Sequence, residues 1–312
     1  MDKIVSFSFV MPAFKRQFLQ KAIDSILRQD YPNLELIIVN DNSPEDLASI
    51  VTSYNDKRIR YSKNQNNIGG KDLVANWNHC IQLAQNEYII LATDDDMFEP
   101  DFLSHAVVLI NKYPDADLIR SGVRKIDENG KTIDIEFPLK EHMTCREFTL
   151  FYAKGGTISC ISNYIFKRKA LEKNNGFISF PHAHYSDDAT ALALSVNGVA
   201  CINSNKFLFR VSKINLSNRT DLQLVLDQLK ASELYAEWYL NHISQLNTSP
   251  DDFFYRACYG GFKSRYIYMI EKLTDKIHFS NFPQAIKIIL TIRYLFKKER
   301  IRLILNYFVN KV

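Results

Sequence analysis

Apolar residues in the first 115 positions switch between two rhythms, and the switching predicts strands that alternate with helices. Residues 6–11 form a short run rich in β-branched and aromatic side chains, stopped by Pro12, as expected of a buried strand ending in a turn. Across 17–29, Leu19, Ala22, Ile23, Ile26 and Leu27 fall on one helical face. Residues 34–39 read as a second buried strand. Ser43-Pro44-Glu45-Asp46 reads as a helix start that Leu47, Ile50, Val51 and Tyr54 continue. A short polar strand follows at 58–62, then a helix opened by Gly69-Gly70 and bearing Leu73, Val74, Trp77, Ile81 and Ala84. A strand at 87–92 and a helix at 100–113 complete the series. This order demands a mainly parallel, Rossmann-like α/β sheet with helices on both faces. Ligands of such sheets bind beyond the carboxyl ends of the strands. Here those ends carry residues 12–16, 40–42, 64–70 and 93–96, the most polar short segments of the chain.

Beyond residue 115 the pattern predicts a strand at 118–123 and a hairpin over 126–137 turning at Asn129-Gly130. A helix over 187–197 and strands at 199–202 and 207–211 come next. From about 221 the sequence is helical to its end, with breaks near Pro250 and Pro283. The chain thus reads as an α/β domain over 1–220 and a helical C-terminal region over 221–312.

With 46% apolar residues the chain can bury a large core. A net charge of +4 is too mild for a nucleic-acid binder. The excess sits late: 285–312 holds seven basic residues against Glu299 alone. There Ile289, Ile292 and Phe296 fall at helical spacing beside Arg293, Lys297 and Arg300, with Leu290, Leu303 and Leu305 outside the stripe. This reads as a basic amphipathic helix for an anionic membrane surface, against the plainer alternative of a packed helix with a solvated basic face. The five cysteines form no C-x-x-C pair, so neither a zinc ribbon nor a secreted disulfide framework is indicated. Nothing reads as a signal peptide, and no apolar run reaches the roughly 18–20 residues of a membrane span. The expectation is a cytoplasmic protein, peripheral at most on the inner face of the cytoplasmic membrane.

Asp94-Asp95-Asp96 follows the strand at 87–92. Three adjacent carboxylates repel one another unless a cation binds them, and hard divalent ions such as Mn²⁺ or Mg²⁺ prefer oxygen ligands shared with substrate phosphates. Alone, the run would read as a solvated acidic turn; its place at a strand's carboxyl end favours the metal. Asp41 holds the equivalent end of the second strand and reads either as an acceptor for a base or ribose or as an ordinary turn aspartate. Asp187-Asp188, before a helix, reads either as a general base beside a second acid or as first-turn helix acids.

Ser8-Phe9-Val10-Met11-Pro12-Ala13-Phe14, Leu36 through Ser43, Asn67-Ile68-Gly69-Gly70, Tyr88 through Asp96 with Pro100-Asp101, and Tyr164 through Glu172 with Gly176-Phe177 and Asp187-Asp188 together resemble a family 2 glycosyltransferase. The resemblance runs over about residues 4–215. It implies the GT-A fold and an inverting, metal-dependent transfer of sugar from a nucleotide-diphosphate donor to a hydroxyl acceptor. On that resemblance Pro12, Ala13 and Asp41 hold the nucleobase, usually uracil, and Phe14, Asn67 and Lys71 belong to the donor side. Asp94 lies near the ribose, Asp95 with Asp96 binds the metal, and Asp188 deprotonates the acceptor. Arg16 and Arg210 are further candidates for phosphate or loop contacts. The acceptor would be a glycan or lipid-linked hydroxyl, in capsule, lipopolysaccharide or exopolysaccharide assembly.

Three positions depart from the family pattern. Thr93 stands where the first Asp of D-x-D is usual, Asp187 replaces a Glu, and Arg210-Val211-Ser212 lacks the histidine of a downstream Arg-x-His. His182 and His184 lie nearby in sequence. The absence of Q-x-x-R-W argues against a processive synthase. Pyrophosphorylases and nicotinamide oxidoreductases need glycine-rich loops that Met11-Pro12-Ala13-Phe14-Lys15 does not provide. The competing reading is a catalytically inactive relative serving as a binding or scaffold subunit.

Overall fold

The four apolar runs of the N-terminal half become neighbours in one sheet. In the computed structural model, which describes residues 4–215, 220–246 and 252–310, β1 (Phe7–Ala13), β2 (Leu34–Asn40), β3 (Ile59–Lys63) and β4 (Tyr88–Leu91) lie parallel in the order β3-β2-β1-β4. The expected break near Pro250 and the basic Lys311 lie outside the described residues. Strand β1 is the switch point: the chain winds one way to β2 and β3 and the other way to β4, which opens a crevice above their carboxyl ends.

Between these strands lie α1 (Leu19–Leu27), α2 (Ala48–Val51) and α3 (Leu73–Ile81). Helix α1 buries the stripe read from the sequence, with Leu19, Ala22, Ile23 and Ile26 each at most 1% exposed. Helix α2 is one turn, shorter than expected, and Asp46 accepts from the Ser49 amide at 3.1 Å. Helix α3 starts two residues past the glycines, where Asp72 caps it by accepting from the Ala75 amide at 2.9 Å.

The sheet continues through β5 (Met97–Phe98), β6 (Leu118–Ile126), β7 (Thr132–Ile135), β8 (His142–Met143), β9 (Tyr164–Lys167) and β10 (Val199–Arg210), to ten strands. Strand β9 runs antiparallel between β4 and β6, and β6 pairs parallel with β10. The expected hairpin is β6–β7. The two short strands expected at 199–202 and 207–211 are one strand, because bulges between Ile202 and Phe207 absorb the polar Asn203-Ser204-Asn205 while pairing with β6 resumes. Helices α4 (Phe102–Lys112), α5 (Cys145–Ala153), α6 (Arg168–Lys173) and α7 (Ser186–Leu194) complete this part of the chain. Phe9, Phe98, Phe102 and Phe207 pack at its centre with ring centroids 4.9–5.5 Å apart along the chain of contacts.

The chain divides into two units. The sheet unit comprises Met1–Phe148, Thr157–Ser179 and Ser186–Ser212; the helical unit comprises Thr149–Gly156, Phe180–Tyr185 and Lys213–Val312. The second unit holds α8 (Leu222–Gln245), α9 (Phe253–Asp275), α10 (Phe282–Thr291) and α11 (Lys297–Val309), with Tyr235, Tyr239, Phe262 and Tyr266 in its core. The basic stripe expected over Ile289–Arg300 is not one helix face. Helix α10 ends at Thr291, Tyr294 takes a left-handed φ of 62°, and α11 restarts at Lys297, so Ile289 and Ile292 are buried. The exposed amphipathic face lies on α11 instead, where Lys297, Lys298 and Arg302 flank Ile301, Leu305 and Val309. Among the described residues no helix is long and apolar enough to cross a membrane.

Candidate active site

The crevice at the switch point is stitched by β1 and β4. The Phe14 and Lys15 amides, just past β1, donate to Asp94 Oδ2 at 2.7 and 2.6 Å. The Lys15 ammonium lies 3.3 Å from Asp94 Oδ1 and donates to Asp95 Oδ2. Burial alone would lower the pKa of Lys15, but the charges of Asp94 and then Asp95 outweigh it and raise it. Burial raises the pKa of Asp94 in turn, against the pull of Lys15. Lys15 is not among the candidates that the sequence offers. The available signal is a cation two residues past β1, level with the acidic run past β4.

Asp96 is committed within the protein. Its Oδ2 accepts from Thr93 Oγ1 at 2.6 Å and its Oδ1 from the Arg210 amide at 2.7 Å. Burial first, and then the charge of Asp95, push its pKa up to about 8. The departure at Thr93 is thus a hydroxyl donor for Asp96. Arg210 is fully buried; its guanidinium donates to the carbonyls of Asp95, Asp127 and Glu128 at 2.8, 3.0 and 3.1 Å and lies over the Phe18 ring at 4.5 Å. It braces the acidic loop, the loop contact among the two roles expected of it.

At the end of β2, Asp41 fastens the 64–70 loop. Its Oδ1 accepts from Asn64 Nδ2 at 2.8 Å and the Ile68 amide at 2.9 Å, and its Oδ2 from the Gly69 amide at 2.7 Å. Glycine is required at 69 because a Cβ there would stand 2.9 Å from Asp41 Oδ2. The Asn67 side chain accepts from the Gly70 amide of its own loop at 2.5 Å, while Lys71 and Arg16 are exposed. Ser43 Oγ donates to the Phe14 carbonyl at 2.6 Å, joining the ends of β1 and β2. Pro12 and Ala13 close β1 beneath the exposed Phe14 ring. One site therefore gathers Pro12, Ala13, Phe14, Asp41, Asn67, Asp94, Asp95 and Asp96.

Asp187 and Asp188 open α7, and the Asp188 amide donates to Asp187 Oδ1 at 2.9 Å. Burial and then the charge of Asp188 raise the pKa of Asp187 to about 8, so the pair retains a proton near neutrality. Burial, then the charges of Asp96, Asp187 and Asp188, drive the Cys160 thiol pKa well up. The two acid groups thus act on one thiol from within one unit. His182 and His184 belong to the helical unit, where His182 Nε2 pairs with Asp227 at 3.0 Å.

Among the described residues no three His, Cys, Asp or Glu side chains converge to hold a metal ion. The test of fit for a divalent ion is the position of Lys15. A cationic nitrogen already sits against Asp94 and Asp95, so those carboxylates accept positive charge, whereas each Asp96 oxygen accepts a hydrogen bond from within the protein. One or two carboxylates completed by substrate phosphates is how Mg²⁺-like ions are usually held.

Residues 8–174, just over half the chain, match the family described as glycosyl transferase family 2. WcaA of Escherichia coli, whose name places it provisionally in colanic acid biosynthesis, is 46% identical over 110 residues, covering 33% of this chain and 38% of that one. The GalNAc(5)-diNAcBac-PP-undecaprenol beta-1,3-glucosyltransferase of Campylobacter jejuni is 28% identical over 191 residues, covering 59% of this chain and 57% of that one. The chain thus matches less than two thirds of either relative. Among solved structures, S. aureus TarS 1-349 with UDP-GlcNAc aligns at TM-score 0.60 and 15% identity, over 98% of this chain and 90% of that one. The Pyrobaculum calidifontis mannosyltransferase PcManGT with GDP-Man and Mn²⁺ aligns at 0.54 and 13%, over 99% and 86%. These two likenesses establish the GT-A type of fold.

Proposed function

The chain belongs to glycosyl transferase family 2, and from that premise we propose that it moves a sugar, with inversion, from a UDP-sugar to a hydroxyl of a glycan or lipid-linked acceptor in cell-surface polysaccharide assembly. The observation that carries the reading is the meeting of β1 and β4 at the switch point, where the Phe14 and Lys15 amides clasp Asp94 and the Lys15 ammonium reaches Asp95. The base would lie on Pro12, Ala13 and Phe14, beside the 64–70 loop that Asp41 holds, and the ribose near Asp94. Asp95 would hold Mn²⁺ or Mg²⁺ against the donor's diphosphate, with Asp96 bracing the loop behind it. The ion would supply charge stabilisation for the departing diphosphate. The lipid-linked acceptor draws support from the name of the Campylobacter relative. The exposed cationic and aliphatic face of α11 suits an anionic membrane surface on which such an acceptor would lie.

In this mechanism the Asp188 carboxylate takes the proton of the acceptor hydroxyl. The freed oxygen attacks the anomeric carbon from the face opposite the nucleotide, the bond to the diphosphate oxygen breaks, and its electron pair leaves with the nucleoside diphosphate. Burial and the charge of Asp188 raise the pKa of Asp187, which favours one proton shared by the pair and leaves one carboxylate for the role of base. Nucleotide release from UDP-sugars, with GDP-sugars in parallel, tests this on the wild type and Asp188→Asn. Removal of a general base should lower turnover by about 10²-fold or more with nucleotide binding retained. Equal turnover would remove Asp188 from the mechanism, and none in either protein would restore the scaffold reading.

A further inference from the structure

Lys15 is a strongly placed group at this site to which the transfer reaction assigns no step. We propose that it is an exchangeable counter-ion: in the donor-free protein its ammonium occupies the cation position at Asp94 and Asp95, and it passes to the donor's diphosphate when a divalent ion takes that position. This rests on the donor-site reading above.

Three observations carry it. Asp94 and Asp95 are 4% and 6% exposed, so their charges need a partner close at hand, and Lys15 Nζ contacts both. Lys15 Nζ is placed on Asp94 and Asp95 and not on Asp96, whose oxygens each already accept a hydrogen bond, from Thr93 and the Arg210 amide, and Arg210 spends its guanidinium on carbonyls. Finally, Lys15 is built to move at one end only. Its amide is pinned to Asp94 Oδ2 at 2.6 Å, while its side chain keeps 32% of its surface in solvent at the end of a flexible four-carbon stem.

One ammonium against this acidic run is a poorer match than a divalent ion, yet it is always present. A metal arriving alone must expel it, and a diphosphate arriving alone can recruit it only by stripping Asp94 and Asp95 of their partner. Arriving together, each removes the other's cost, so metal and donor bind cooperatively through Lys15.

The test uses the full chain and reads binding, not turnover. Mn²⁺ affinity is measured without nucleotide by electron paramagnetic resonance, and UDP affinity in chelator by calorimetry, with GDP in parallel. Lys15→Met should bind Mn²⁺ about tenfold more tightly and metal-free nucleotide about tenfold more weakly. Lys15→Arg should keep Mn²⁺ binding as weak as in the wild type. Opposite changes in the two affinities separate this role from a structural one, since a damaged site loses both. Mn²⁺ affinity that is unchanged or weaker in Lys15→Met, yet abolished by Asp95→Asn, would overturn the counter-ion and leave the donor site standing. Mn²⁺ binding insensitive to Asp95→Asn would overturn both.

Discussion

Replacing Asp41 by Asn exchanges one oxygen for an NH₂ group, and the structure sets what that costs. The carboxylate accepts from Asn64, the Ile68 amide and the Gly69 amide at 2.8, 2.9 and 2.7 Å in a pocket where Asp41 is 3% exposed. With the amide oxygen kept at Oδ1, the Asn64 and Ile68 bonds survive without charge assistance, and the NH₂ group opposes the Gly69 N–H. The flipped amide loses two bonds instead of one, so the first arrangement prevails. A hydrogen bond to a charged group contributes ~1.5–3 kcal/mol, so one lost and two weakened bonds amount to about 2–4 kcal/mol. For a unit of this size that is a fall in melting temperature of about 5–15 °C. Because the same loop borders the proposed base site, UDP affinity should fall with it. Differential scanning fluorimetry and nucleotide titration on Asp41→Asn check both, with Asn64→Ala as a milder control near 1 kcal/mol. An Asp41→Asn protein that melts within about 1 °C of the wild type and binds UDP equally would refute the anchoring role.

Four further outcomes are expected. Asp187 binds its proton more tightly when folded, with its pKa rising from 3.8 to about 8, so its contribution to stability is lost as pH climbs through that window. Asp187→Asn should therefore gain on the wild type by up to ~1.4 kcal/mol per pH unit within the window, read from urea midpoints, and a constant difference would contradict this. Arg210→Met leaves the carbonyls of Asp95, Asp127 and Glu128 without their guanidinium donor and should cost ~3 kcal/mol or more in chemical denaturation, with Arg210→Lys intermediate. Glu136 accepts from Arg120 through both oxygens at 2.9 Å in full burial; Glu136→Gln should cost about 3 kcal/mol, and Arg120→Met with Glu136→Leu together less than the sum of the two single changes. Ile301→Asp with Leu305→Asp should cut binding to vesicles containing anionic lipid, measured by co-sedimentation, while leaving neutral vesicles and nucleotide binding unaffected.

The parallel half of the sheet was legible because β1, β2 and β4 are buried on both faces and so read as unbroken apolar runs. Once they are parallel, their carboxyl ends must share one edge, which is why Asp41 and Asp94–Asp96 could be assigned to one crevice before any coordinates. Strand β10 was split in two because Asn203, Ser204 and Asn205 interrupt its apolar rhythm, whereas bulges can carry a polar insert through a ladder. The C-terminal stripe misled because helical spacing was carried through Ile292–Phe296, where Tyr294 turns left-handed, and nothing in a tyrosine announces that. Within the site, residue types were readable but the employment of each oxygen was not. Asp95 and Asp96 are identical neighbours; their difference comes from Thr93 on one side and from Arg210, 114 residues away, on the other. Lys15 escaped notice for the same reason, since its meaning comes from acids 80 residues downstream.

The central claim is that the β1–β4 switch point is a nucleotide-diphosphate site whose metal rests on Asp95. Calorimetric titration of UDP, and of GDP in parallel, into the wild type and Asp95→Asn, each with and without Mn²⁺, tests it most directly. The account predicts that Mn²⁺ tightens nucleotide binding to the wild type by about tenfold or more and that Asp95→Asn loses this gain. An equal Mn²⁺ gain in both proteins, or no binding of either nucleotide to the wild type, would contradict it.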